Sequence, residues 1–420
     1  MIRKVQKTSY FCTVKHFNTF LKTVLLTFLV SLTCVTSRAT ESADSVDIAL
    51  LTCGPGDEVY SLYGHTAIRY TDHRTGEDMV INYGMFSFNQ DYFVLRFVFG
   101  LTDYQMGITP FDYFMREYQY EGRWVYQQTL NLTAGQKRAI GEALALNYLP
   151  ENRTYRYNFF YNNCTTKARD VIVGQLGCDI EYPQRNLDGV TFRTMLHQWN
   201  EDYPWSRLGN DLLLGVKADR QVSMAERQFL PDSLREDFED AYLRLPSGER
   251  RKLVSDSRML YAPSLSQLAE KQDAESGFAA AMPPMAVALA VLMVMILITI
   301  LEWRTHRILY GLDILWLLAT GVGGIILAAM IFSQHPTVSL NFQILILSPL
   351  CLVALWPVVR SLRRRQFGRW LWVIAGSLAL SLFMGIWQKY DAAIWTLALS
   401  LLFRVAVLYN WCKRTKQTTA

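Results

Sequence analysis

Apolar and polar positions divide the 420-residue chain into three regimes. An apolar run from Thr23 to Val35 follows a leader carrying Arg3, Lys4, Lys7, Lys15 and Lys22. The run is about 13 residues long, which suits a signal-peptide core and is short of the roughly 20 that a bilayer span needs. Ser37-Arg38-Ala39 offers small residues at the two positions a signal peptidase reads, so cleavage after Ala39 is expected, with an uncleaved anchor as the alternative. At the other end five apolar stretches, about 285–301, 310–332, 342–359, 370–388 and 392–411, each come near the length of a transmembrane helix. Between these ends, residues 40–284 mix short apolar runs with polar turns, as an aqueous domain does.

Within that middle regime, Ala49–Cys53 reads as a strand and Gly54–Asp57 as a turn. His65–Tyr70 and Met79–Tyr83 read as a hairpin whose turn contains Gly76, and Arg123–Leu132 as a further strand. Thr133 with Gln136 forms a capping box ahead of a helix over about 134–147. Tyr155–Tyr161 is aromatic-rich and reads as a strand or a buried turn. Asn162 or Asn163 then caps a helix from Cys164 to about Leu176, closed by Gly177. From 190 to 284 the pattern is mostly helical and polar, an accessory region leading to the membrane at Pro283-Pro284. The expected organisation is therefore a signal peptide (1–39), an exported α+β domain (40–189), an accessory helical region (190–284), a five-span bundle (285–411) and a cytoplasmic tail (412–420).

Charge sharpens this division. Hydrophobic residues make up 51% of the chain and charged residues 19%, which excludes extensive disorder. The net charge of +5 hides a partition: residues 41–284 carry 24 basic and 34 acidic residues, and residues 285–420 carry 12 basic and 3 acidic. An acidic middle domain is a poor partner for nucleic acid. In the apolar segment, Arg304, Arg307, Arg360, Arg363, Arg364, Arg365, Arg369, Lys413, Arg414 and Lys416 fall on one side of the expected spans and only Lys389 on the other. The positive-inside rule then puts the C-terminus in the cytoplasm and residues 40–284 outside.

Three cysteines fall in the exported region, Cys53, Cys164 and Cys178, and an odd number leaves one thiol over. Cys164 stands out because a helix N-terminus favours the thiolate and offers N–H donors to an oxyanion. A thiol nucleophile needs a base, and the candidates are His65, His73 and His197. His73 falls in a solvated turn and His197 suits a helix face, which leaves His65. Asn82, at the end of the partner strand, is placed to orient that imidazole if the hairpin register allows. No cluster has metal-ligand spacing, and no cofactor is expected. Gly321, Gly323 and Gly324 read as helix-packing residues. Ser333-Gln334-His335-Pro336, with Asn341, is a polar cluster that reads as an ordinary interfacial loop or as a contact to lipid headgroups or to the domain above.

Cys53-Gly54-Pro55-Gly56-Asp57, Tyr63-Gly64-His65-Thr66-Ala67-Ile68-Arg69, Asn82-Tyr83-Gly84, Asn162-Asn163-Cys164-Thr165-Thr166 and the Ser333–Pro336 string with Asn341 resemble the Lnb family of bacterial lipoprotein N-acyltransferases. The order histidine, strand, polar residue and distant helical cysteine also resembles the permuted papain-like fold of lecithin–retinol acyltransferase relatives. The resemblance implies a multi-pass protein of the bacterial inner membrane with Cys164, His65 and Asn82 as catalytic residues. It adds Thr165, Asn163, Tyr63, Arg69, His335 and Asn341 as candidates for substrate or oxyanion contacts. The implied partners are a phospholipid acyl donor and a diacylated lipoprotein acceptor. Two other readings use the same residues: a membrane-tethered cysteine peptidase or amidase acting on cell-wall peptides, and a non-catalytic membrane receptor or assembly factor.

Overall fold

The computed structural model describes residues 45–87, 91–245, 247–267 and 282–418, so the expected signal peptide lies outside the described residues. The exported region begins with a meander of β1 (Val46–Cys53), β2 (His65–Asp72) and β3 (Glu77–Met85). β1 is a nearly continuous apolar run because both of its faces are covered: Ile48 and Leu50 join one core cluster, Leu51 and Cys53 another. The chain continues through α1 (Phe93–Val98), β4 (Asp103–Pro110), α2 (Phe111–Tyr120), β5 (Val125–Leu130), α3 (Ala134–Tyr148), β6 (Thr154–Arg156) and α4 (Cys164–Gly174). The Thr133/Gln136 capping box is formed, and a second box of Asn163 with Thr166 opens α4. Each such cap stabilises its helix by about 1 kcal/mol.

β7 (Asp179–Glu181), α5 (Phe192–His197), α6 (Pro204–Leu213), α7 (Met224–Arg227), α8 (Pro231–Glu239), β8 (Tyr242–Arg244), β9 (Arg250–Lys252) and β10 (Val254–Tyr261) follow. The stretch expected to be mostly helical thus contains three strands. β10 pairs with β5 and closes one edge of a seven-stranded antiparallel sheet of order β10-β5-β1-β2-β3-β4-β6. The reason for the miss is physical: Ser255, Asp256, Arg258 and Met259 are exposed on an edge strand, so the alternation that reveals a strand is absent. β10 makes residues 254–261 part of the main sheet rather than an appendage to it.

Five helices form the C-terminal bundle: α9 (Pro284–Thr305), α10 (Tyr310–Ile331), α11 (Leu350–Arg363), α12 (Arg369–Met384) and α13 (Ala392–Thr418). Four segments are long and apolar enough to cross a membrane: Pro284–Thr305, Tyr310–Ile331, Phe342–Arg363 and Ala392–Arg414. The remaining helix, Arg369–Met384, has 16 residues, about 24 Å against a hydrocarbon core of about 30 Å. Gly321 and Gly324 face Leu352 and the Ser348–Pro349 backbone with no room for a Cβ, as packing residues should. Inside the bundle, Arg404 of α13 is fully buried and holds Glu302 of α9 and Asp313 of α10. Its nitrogens donate to both carboxylates over 2.6–2.9 Å. Glu302 also accepts from the Leu309 N–H at 2.7 Å, and Asp313 from the Trp316 indole at 3.2 Å.

The exported region is bolted to one end of this bundle. Asn341 donates to the Leu212 carbonyl at 2.7 Å, and Gln343 to the Asp211 carbonyl at 2.6 Å. Gln388 donates to the Leu214 carbonyl at 3.1 Å and to Asn341 Oδ1 at 2.8 Å. The Gly215 N–H donates to the Thr337 carbonyl at 2.8 Å, and a Cβ at 215 would overlap the Leu340 carbonyl. Met330 and Val338 of the bundle end share a core cluster with Leu62, Tyr63 and Phe229 of the exported region. The two parts pack as one body through buried polar and apolar contacts, not through a bare tether.

Candidate active site

The β2–β3 hairpin sets the geometry. Its turn, His73–Gly76, is held by Asp72, which accepts from the Arg74 N–H at 2.9 Å, and pairing runs from Asp72↔Glu77 to Ala67↔Asn82. That register puts Asn82 diagonally across from His65 on the same face, and His65 Nε2–H donates to Asn82 Oδ1 at 3.1 Å. Continued by two residues, the register would set Gly84 opposite His65. Instead the pairing stops at Asn82, and Gly84 adopts a positive φ of 92°, which a residue with a Cβ resists. Cys164 occupies the space at this fork: a Cβ on Gly84 would lie 3.6 Å from the Cys164 Cβ.

Cys164 arrives there at the first turn of α4. Asn163, its N-cap, accepts from the Thr166 N–H at 2.9 Å and donates to the Phe159 and Phe229 carbonyls at 2.8 Å each. All its polar atoms are engaged, so Asn163 fixes the helix start and has nothing left to offer a substrate. The Thr165 hydroxyl lies 3.1 Å from the Thr66 hydroxyl and 3.8 Å from Cys164 Sγ, tying α4 to β2 beside the sulfur.

Electrostatics match this geometry. Burial pushes the Cys164 thiol up. The His65 imidazolium, its hydrogen bond to sulfur, the Thr66 N–H and the Thr165 hydroxyl together outweigh burial and bring the thiol down to about 7. Burial pushes His65 down, but the Cys164 thiolate and the bond to Asn82 more than compensate against the opposing Arg123 cation, so His65 lies above its ordinary value. Cys53 makes the contrast: fully buried on β1 opposite His65, it is pushed up to about 12 by burial. Cys178 is partly buried, and neither Cys53 nor Cys178 is in a disulfide.

His65 is the only one of the three candidate histidines that the fold brings to Cys164. His73 is exposed and bonded to Asp47 at 2.8 Å. His197 ends α5 on Asp211, at 2.9 and 3.0 Å. Of the other expected contacts, Arg69 is committed to Asp78 and Gln127 and lies over the Phe111 ring. Tyr63 accepts from Asn210 at 2.6 Å, and Asn341 is a docking residue. Arg69 and Asn341 thus spend their polar atoms on protein partners, and the Tyr63 hydroxyl is held by the amides of Asn200 and Asn210. His335 comes nearer: Asn158 donates to its Nδ1 at 3.3 Å, and Asn158 bridges to Asn162, two residues before Cys164. Burial holds His335 below its ordinary value despite a bond to the Phe97 backbone, so the ring is neutral and its Nδ1 accepts.

One neighbour of the thiol escaped the sequence reading. The Tyr155 hydroxyl is buried, faces the Gly84 backbone N–H and has no acceptor for its own proton among the described residues; it lies 4.0 Å from the position a Gly84 Cβ would take. Burial and the Cys164 thiolate both push its ionisation well up, so it remains a neutral donor. The aromatic cluster at Tyr155–Tyr161 was the available signal, but nothing local distinguishes this tyrosine from the others.

The pairing makes a measurable prediction. Alkylation of Cys164 by iodoacetamide should follow a pH profile with its midpoint near 7. In His65→Ala the midpoint should move upward, because the attracting cation is lost while burial remains. Asn82→Ala should shift it less, since Asn82 acts only through the imidazole. A His65→Ala profile that overlays the wild type would show that the two side chains do not form an ion pair.

Comparison with known families matches residues 35–197 to the Lnb N-terminal periplasmic domain and residues 273–416 to the Lnb transmembrane domain. No curated protein and no solved structure matches the chain. The chain is thus a membrane protein with an N-terminal periplasmic domain and a C-terminal transmembrane domain.

Proposed function

The chain belongs to the Lnb family, and from that premise we propose that it is a lipoprotein N-acyltransferase working through a cysteine thioester. The observation that carries the reading is the Cys164–His65–Asn82 group, built on a domain that is packed against the exported end of a membrane bundle. A thiol with a lowered pKa at a helix N-terminus, a paired imidazole and an orienting amide are the parts of acyl transfer by a cysteine. Their order along the chain, with the histidine strand before the cysteine helix, favours the permuted papain-like arrangement.

In the first step the Cys164 thiolate attacks the ester carbonyl of a phospholipid. The C–S bond forms as the carbonyl becomes an oxyanion, and the Tyr155 hydroxyl is the free donor beside it. Collapse of this intermediate breaks the C–O bond. His65 gives its proton to the leaving alkoxide, so a lysophospholipid departs and an acyl-thioester remains. In the second step the free α-amino group of a diacylglyceryl-cysteine attacks the thioester. The neutral imidazole takes the amine proton, the C–S bond breaks, and the amide leaves with the thiolate restored. Asn82 keeps Nε2 engaged throughout and so presents the other ring nitrogen to sulfur. Because donor and acceptor are both confined to one leaflet, a site held at the membrane replaces diffusion through water by local orientation.

The same reading has five crossings with a cytoplasmic C-terminus. Although Arg369–Met384 is short, the chain leaves the arginine-rich turn at Arg363–Arg369 and returns to the periplasmic domain at Gln388. A reporter fused after Ala420 should therefore be active in the cytoplasm; a periplasmic signal would sink the five-crossing topology.

The activity is tested by incubating the protein with phospholipid carrying a labelled acyl chain and no acceptor. The label should accumulate on Cys164, be released by neutral hydroxylamine, and pass to a diacylated lipopeptide with a free α-amine but not to its N-acetylated form. A peptidase would leave the phospholipid untouched, and a receptor would form no adduct at all.

A further inference from the structure

None of the six residues of α1 is buried. Its apolar side chains face outward: Val94 is 72% exposed, Leu95 57% and Phe97 43%, with Tyr92 at 78% just before it. Its one cation, Arg96, is turned back to Asp103 at 2.9 Å. A contiguous apolar face of this kind is costly against water and marks a contact with something apolar.

The position of the helix identifies that partner. The Phe99 carbonyl accepts from the Gln334 N–H at 2.9 Å, and the Phe97 ring lies 6.2 Å from His335. Both partners follow directly on α10, whose 22 residues span about 33 Å at 1.5 Å per residue. α1 is therefore held level with the periplasmic end of a membrane-spanning helix, where Phe332 is itself 78% exposed. Behind it a line of rings leads inward. Phe97 stacks with Phe93 at 6.4 Å, Phe93 with Phe86 at 5.8 Å, Phe86 with Tyr104 at 4.8 Å and Tyr104 with Tyr157 at 4.0 Å. Tyr157 is close enough to Cys164 to feel the charge of its thiolate.

We propose that α1 lies in the periplasmic surface of the bilayer with Val94, Leu95 and Phe97 among lipid acyl chains, and that the ring line behind it guides one chain of a donor phospholipid from the leaflet to Cys164. The second half rests on the acyltransferase reading; the first does not. A short amphipathic helix in the interface, with its apolar face toward the acyl region, is a stable arrangement. It also addresses a problem inherent in the chemistry. The sulfur sits inside a water-exposed domain, so an acyl chain leaving the bilayer needs an apolar track to avoid exposure to water. The four ring pairs form such a track.

The test uses the full-length protein in phospholipid nanodiscs, with a genetically encoded environment-sensitive fluorophore at position 94 or, as a control, at Thr75 in the exposed β2–β3 turn. Emission at position 94 should be quenched several-fold by lipids bearing a nitroxide on the acyl chain and protected from aqueous iodide, with the reverse at position 75. Iodide quenching at 94 without nitroxide quenching overturns the placement of α1. A Val94→Glu, Leu95→Glu double variant should then take label from bilayer phospholipid at least tenfold more slowly than wild type, while iodoacetamide alkylates its Cys164 at the wild-type rate. Undiminished labelling overturns the guiding role. If wild-type protein itself takes no label, the acyltransferase reading fails, and the quenching result still decides where the helix lies.

Discussion

Cys164→Ala should abolish transfer of labelled acyl chains from phospholipid, lowering turnover by roughly 10⁴-fold or more, because the covalent step has no other nucleophile. Cys53 is buried and pushed up to about 12, which makes it inert at neutral pH. Cys178 packs against the core beyond the far end of α4, where its sulfur accepts from the Gln136 amide at 3.8 Å. Cys53→Ala and Cys178→Ala should therefore retain labelling, even where the first costs stability by hollowing the core between β1 and α2. Protein level and melting temperature of Cys164→Ala should match the wild type, since the cap that starts α4 is made by Asn163 and Thr166 and not by the thiol. The comparison to make is label per mole of folded protein across the three variants. Full labelling of Cys164→Ala would remove the nucleophile assignment, and with it the thioester mechanism.

The second large effect is expected in the bundle. Arg404→Met should destabilise the packing of α9, α10 and α13 by about 3–5 kcal/mol, the usual cost of stripping one partner from a buried ion network. Arg404 donates to Glu302 and Asp313 through four bonds, so its removal leaves two carboxylates facing each other out of reach of water. The measurement is the melting temperature in detergent together with the amount of protein in the membrane fraction. Adding Glu302→Gln and Asp313→Asn to Arg404→Met should recover most of the loss, because no buried charge then lacks a partner. Wild-type melting of Arg404→Met alone would show that the helices are held by apolar packing and that the network adds nothing. Intramembrane charges often mark transport or proton pathways. Here the donors and acceptors satisfy one another, which favours a staple between the first two helices and the last.

How far each of these features was legible in advance follows from the range of the interaction behind it. Helix α4 and its cap could be read from Asn163-Cys164-Thr165-Thr166, because a capping box is closed within four residues. The prominence of Cys164 came with it, since the field of a helix terminus is local. The apolar stretches and the lopsided arginines were readable for the same reason: span length and flanking charge are properties of contiguous segments. Other features were not available at that range. The approach of Tyr155 to Gly84, the Arg404 network and the strand β10 involve partners 71, 91 or more, and over 120 positions away.

What the sequence by itself determined about this protein is thus the division into a polar domain and an apolar bundle, the helix that carries the thiol, and the short list of histidines able to serve it. Only the tertiary structure decided which histidine serves and how. The hairpin register had to put Asn82 rather than its neighbour on the His65 side of β2, and a shift of one residue would have turned Asn82 to the opposite face. β3 then had to part from β2 at Gly84 to admit the sulfur. Register and fork are set by how the whole sheet packs against α2 on one face and α4 on the other, a balance of many distant contacts that no short window of residues contains.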